Sequence, residues 1–181
     1  MSQSADVFNI LDSLLPRADL VELAEPDEIL LLYAGIGMPS LRVMELSGQA
    51  GITYHEIKAA NPLLGLVEPI MVRSRYAELR EQAIMEDADA LNDLGWWWLN
   101  GSRLKPNPEL ARRLFKIAAV MGSAEALFNL AEQAFYGKGL SINSVLAIDY
   151  YEQAFEAGIP CAAQALGSLY ERRDEGISAS H

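Results

Sequence analysis

The second half of the chain repeats itself with a period of 36 residues, and that periodicity restricts the fold more than any other feature. Leu94, Leu130 and Leu166 mark the period. At the same offset Gly95 pairs with Ala131 and Gly167, Gly101 with Gly137, and Leu110–Ala111 with Leu146–Ala147. Leu114–Phe115 pairs with Tyr150–Tyr151, Ala118 with Ala154, and Gly122 with Gly158. Each period predicts a helix pair. A first helix over 88–100 or 124–136 closes at a glycine suited to the left-handed position. A polar loop, SRLKPNP or KGLSIN, leads to a second helix beginning near Asn107–Pro108 or Asn143, residues that suit N-cap and N1. That helix ends at Gly122 or Gly158. One such pair cannot bury its apolar face alone, so the units are expected to stack.

ALNDLGWWWLNGSRLKPNPELARRLFKIAAVMG and ALFNLAEQAFYGKGLSINSVLAIDYYEQAFEAG resemble Sel1-like repeats, an α/α solenoid family related to tetratricopeptide repeats. Gly137 and Gly139 fill the family's glycine pair, and Ala147, Tyr150, Tyr151, Ala154 and Gly158 fill its second helix. Arg103 replaces the second glycine of the first unit, Asn107 and Asn143 replace the acid, and Trp98 or Ala134 replaces the tyrosine. CAAQALGSLYERR begins a third unit, with Tyr170 in the tyrosine slot, and is expected to cap the array. The remainder, 174–181, is expected to be disordered. The resemblance covers about 86–173. It implies a module that binds another protein on its first-helix face and performs no catalysis.

The first half has a different rhythm. Val7, Ile10, Leu11, Leu14 and Leu15 lie on one side of a helix that ends at Pro16. EILLLYAGIG is compatible with a buried strand, SLRVMELSGQAG with a helix, and TYHEIKAANP with a second helix opened by Thr53 and Glu56. LVEPIMVRS then suggests a second strand, at an edge because of Pro69. The β-α-α-β order and the run GITYHEIKAANP are similar to a LysM module. That likeness implies a glycan groove near Asn61, Pro62 and Leu63, although the G-D-T-L that opens the family's first helix is missing at Ser40–Val43. The fold expected is therefore mainly α: residues 1–75 as a small LysM-like body and 76–173 as the solenoid. RSRYAELREQAIMEDADAL should form a long helix, or two in line, between them.

The formal charge of −11 argues against nucleic-acid or anionic-membrane surfaces and suits a partner with a basic surface. The acidity is spread through both halves. MSQSADVFNILDSLLP has no base before its short apolar run, so a cytoplasmic location is expected. No apolar run is long enough to span a bilayer. Two histidines and one cysteine give no metal-ligand spacing, and no cofactor or small-molecule substrate is expected. His55 lies between Tyr54 and Glu56 on a helix, a surface setting. Glu86, Asp87 and Asp89 fit a solvated face better than a catalytic carboxylate pair. Cys161 in its alanine-rich setting is expected to pack inside. The chain thus predicts a non-enzyme: a bacterial immunity protein or secretion adaptor, with an envelope glycan binder or a structural component of a larger assembly as alternatives.

Trp96, Trp97 and Trp98 are consecutive, so a helix points them about 100° apart and no single core takes all three. Trp98 joins Leu91 and Leu94 in a core stripe. Trp97, matched by Gln133 and Leu169, falls between units. Trp96, matched by Glu132 and Ser168, faces water, and either packs on the N-terminal half or contacts a partner. The expected partner-binding residues are Trp96, Trp97, Asn92, Asp93, Glu132 and Gln133.

Overall fold

The computed structural model describes residues 2–24, 64–100 and 104–178, and the described chain is helical. In order the helices are α1 (Ser2–Leu14), α2 (Leu64–Ile84), α3 (Ala88–Asn100), α4 (Pro108–Val120), α5 (Ala124–Tyr136), α6 (Ser144–Glu156) and α7 (Cys161–Ser178). They divide into two compact bodies. The first comprises the described residues up to Asp87, with Asn100 and 104–106; the second comprises Ala88–Leu99 and the described residues from Asn107 onward.

In the first body α2 occupies the stretch expected to hold the strand LVEPIMVRS, so a strand there is excluded, and so is a boundary at residue 75. Val72, Tyr76, Leu79 and Ala83 are buried at helical spacing, and this stripe outweighs the local strand propensity. Pro69 sits inside α2, where it removes one backbone bond near the helix start. The expected elements over 28–63 lie outside the described residues, as do Asn61, Pro62 and Leu63.

α1 has no basic residue in its last turn, and α2 supplies the missing donors. Arg80 Nε donates to Leu15 O at 3.1 Å, and its Nη2 reaches both Asp12 O and Asp12 Oδ1. Tyr76 Oη donates to Pro16 O at 2.7 Å and Arg73 to Ala18 O at 2.5 Å. These bonds satisfy the open Asp12 carbonyl in the last turn of α1 and three carbonyls of the segment that follows it. Leu11 and Leu15 are buried as expected, whereas Ile10 is exposed. An isolated antiparallel bridge between Leu23 and Leu104 completes this body.

In the second body α3 to α7 form successive helix pairs whose ends repeat bond for bond. Asn107 Oδ1 accepts from Leu110 N–H and Asn143 Oδ1 from Leu146 N–H, both at 3.0 Å. The N–H of Asn107 donates back to Trp98 O at 2.8 Å, and that of Asn143 to Ala134 O at 2.9 Å. Each asparagine is therefore an N-cap that also ties its helix to the preceding one, which accounts for its place where the family carries an acid. At the closing turns Ser123 N–H donates to Ala118 O and Ile159 N–H to Ala154 O, with Gly122 and Gly158 at φ 103° and 98°.

The same closing turn occurs one period earlier, where no glycine marks it. Asp87 N–H donates to Gln82 O and Glu86 N–H to Ala83 O, with Glu86 at φ 66°. This turn ends α2 at Ile84 before α3 starts at Ala88, so of the two expectations, one long helix or two, the stretch holds two. At the other end, α7 continues through 174–178, which were expected to be disordered. Arg173 stands where Gly137 ends α5, so no left-handed residue stops the helix there.

Candidate functional site

The first helices α3, α5 and α7 bring the three tryptophans and their equivalents into register. Trp98 is buried, Trp97 is half-buried and Trp96 is 40% exposed, in the order the sequence predicts. Asp93 is exposed. Asn92 is half-buried, and its Oδ1 accepts from Asn129 Nδ2 at 2.9 Å, joining α3 to α5. Cys161 is exposed rather than packed inside; Ala162, the next residue of α7, is the one that turns inward.

Two predicted contact residues are occupied within the fold. Gln133 is fully buried and unavailable to a partner, which corrects the expectation for it. Its Nε2 donates to Pro108 O at 2.9 Å and to Lys138 O at 3.2 Å, tying the second repeat to the first helical residue of α4. Gly139, at φ 79°, lies against the same proline: a Cβ there would stand 2.6 Å from Pro108 Cβ. Position 133 therefore belongs to the joint between repeats, as its counterparts Trp97 and Leu169 already hint. Glu132 is half-buried and accepts a hydrogen bond from Tyr151 Oη. Burial of the Tyr151 phenol, together with this neighbouring carboxylate, raises its pKa well above the ordinary value.

An apolar groove lies elsewhere in this body. Phe135, Tyr136, Ile142, Ser144, Val145, Ile148 and Leu169 line a groove of about 800 Å3 at the α5–α6 turn. Tyr136, Ile142 and Val145 are 58%, 69% and 79% exposed. One period earlier the equivalents of Tyr136, Ile142, Val145 and Ile148 are Asn100, Pro106, Glu109 and Arg112. The two repeats thus differ most in polarity where the second one is open. That contrast is present in the sequence at the 36-residue offset. Lys138, 6.0 Å from the Tyr136 ring, is the base beside the groove, whereas α5 and α6 carry Glu125, Glu132, Asp149, Glu152 and Glu156 and no base.

Among the described residues no three His, Cys, Asp or Glu side chains gather to hold a metal ion, and no helix is long and apolar enough to cross a membrane. The arrangement offers shape, apolar surface and negative charge.

Residues 88–123 and 124–159 each match the family model of the Sel1 repeat. An uncharacterized protein of Neisseria meningitidis serogroup B is 33% identical over 110 residues, which are 61% of this chain and 24% of that protein. The chain therefore spans about a quarter of that relative's length. Among solved structures, a Sel1 repeat protein from Oxalobacter formigenes aligns at 33% identity over 52% of this chain and 71% of its own, with a TM-score of 0.47. A protective antigen present in uropathogenic Escherichia coli strains, displaying an SLR fold, aligns at 27% identity over 52% of this chain and 20% of its own, with a TM-score of 0.50.

Proposed function

The chain belongs to the Sel1 repeat family through residues 88–159, and from this we propose that it is a protein-binding module whose principal docking site is the groove at the α5–α6 turn. Sel1 repeat proteins typically mediate protein–protein interaction, on a scaffold that is generally non-catalytic. The observation that carries the choice of site is the exposure of Tyr136, Ile142 and Val145 together on one concave feature. An exposed apolar groove suits a partner surface, and an exposed tyrosine in it suits a binding hot spot. The five carboxylates of α5 and α6 favour a partner segment whose apolar residues are flanked by lysine or arginine. Trp96, on α3, is a second contact point. The role that fits such a module is that of an adaptor or immunity protein, which holds another protein and does not transform a small molecule.

The test is recovery of the partner from the native host with a tagged full chain. The variant Tyr136→Ser/Ile142→Asp is expected to keep the wild-type melting temperature and lose the proteins that the wild type retains. Equal recovery by the two would reject the groove. A wild type that retains nothing would reject the module itself.

A further inference from the structure

The second helices of the two repeats carry outward stripes of identical spacing and opposite charge. On α4 the exposed positions are Glu109, Arg113, Lys116 and Val120; on α6 one face carries the exposed Val145, Asp149, Glu152 and Glu156, with Ser144, Gln153 and Phe155 exposed beside it. Both sets follow the spacing i, i+4, i+7, i+11, which is one face of a helix. Each member of the second set lies one period of 36 residues after a member of the first. Arg113 is therefore matched by Asp149 and Lys116 by Glu152, so charge inverts between equivalent places while the helix caps stay the same. Arg112, Arg113 and Lys116 make no ion pair among the described residues. Asp149 receives a hydrogen bond on Oδ2 from Gln153, and Glu152 receives one on Oε1 from Tyr170; among the described residues the second oxygen of each carboxylate accepts none. Val120 and Val145 are 89% and 79% exposed on the same stripes.

We propose that the protein pairs with a second copy of itself through this face, α4 of each copy lying along α6 of the other. Repeat equivalence gives α4 and α6 the same direction. A two-fold axis parallel to them and midway between them exchanges the two helices and preserves that direction. Arg113 then meets Asp149 of the other copy and Lys116 meets Glu152, and symmetry makes each pair twice. Val120 falls beside the aliphatic stem of Glu156, and Val145 beside that of Glu109. The competing two-fold, with its axis across the helices, would set α4 on α4 and bring Arg113 and Lys116 against their own kind. The charges therefore select the partner and the register together. Exposed ion pairs are individually weak and screened by salt, so the four pairs are expected to give a Kd on the order of 1 mM at low ionic strength.

Sedimentation equilibrium of the full chain from about 10 μM to about 1 mM tests this. At about 50 mM NaCl the mass is expected to rise from 19.9 kDa toward twice that value, and at about 500 mM the Kd is expected to weaken at least about tenfold. Arg113→Asp should abolish pairing, and Arg113→Asp with Asp149→Arg should restore it to within about threefold, because the swap rebuilds the same pairs in reverse. Lys116→Glu with Glu152→Lys repeats the test should the first variants fail to fold. A chain that stays single at about 1 mM and low salt overturns the proposal, as does a dimer indifferent to Arg113→Asp or not rescued by the swap. Val145 and the α6 carboxylates border both surfaces, but Tyr136→Ser/Ile142→Asp alters the groove alone and Arg113→Asp the α4 stripe alone, so the two variants tell the groove and the dimer apart.

Discussion

The first and second repeats reach the same backbone with different interiors. In the first, Gly95 faces the Phe115 ring so closely that a Cβ would stand 2.6 Å from it, and Trp98 is buried. In the second, Ala131 replaces that glycine, Ala134 replaces the tryptophan, and Tyr151 replaces the phenylalanine while donating to Glu132. One interior is aromatic; the other is smaller and carries a polar pair. What does not vary is the set of caps: Asn107 and Asn143 open the second helices, and Gly122 and Gly158 close them. The unit is defined by how its helices start and stop, and its filling is exchangeable provided the paired volumes still match.

The largest effect is expected where that matching is tightest. Gly95→Ala should cost about 2 kcal/mol, because Phe115 is fully buried and cannot retreat. In a Phe115→Leu background the same change should turn stabilising by about 0.5–1 kcal/mol, since only the helix preference for alanine remains. Denaturant melts of the four proteins give both numbers, and the comparison breaks if Gly95→Ala costs the same in either background.

The polar pair comes next. Tyr151→Phe imports the residue of the first repeat and should cost about 1 kcal/mol by removing the donor to Glu132. The phenol's pKa is raised in the fold above its ordinary 10.0, so an unfolded chain releases this proton first. The stability tied to Tyr151 is thus complete below about pH 10 and declines as pH rises beyond it. Melts between pH 8 and about pH 11 should show a steeper alkaline loss for the wild type than for the phenylalanine variant.

The smallest effect should come from the closing turn that lacks a glycine. Glu86→Gly is expected to stabilise by about 0.5–1 kcal/mol, because it relieves a left-handed backbone that a side chain disfavours. A loss of stability instead would mean that the Glu86 side chain contributes more than its backbone strain removes.

The helix boundaries of the repeats were legible because their causes are local. Asn107 before Pro108, Asn143, and glycines at fixed offsets state where each helix begins and ends. α2 was misread because Pro69 and the branched residues around it imitate a short edge strand. The stripe Val72, Tyr76, Leu79 and Ala83 that decides the matter takes effect only when the helix packs. Gln133 was misplaced for a related reason: a polar residue on a first helix suggests solvent, yet this one bonds to the carbonyls of Pro108 and Lys138. Neither acceptor can be named before the loop conformation is known. The groove failed differently. Its residues were all visible, but Tyr136, Ile142 and Val145 become one surface only once the α5–α6 turn and Leu169 of α7 are brought together.

The recurrence of one closing turn at residues 86, 122 and 158 has a consequence for copy number. A cassette cut at these turns carries its own start and stop, so tandem duplication of residues 124–159 should lengthen the array without redesigning a single cap. A gene encoding such a segment can gain or lose length in steps of one whole repeat. Each step presents a new outward stripe whose charge is free to drift, as it has between Arg113 and Asp149.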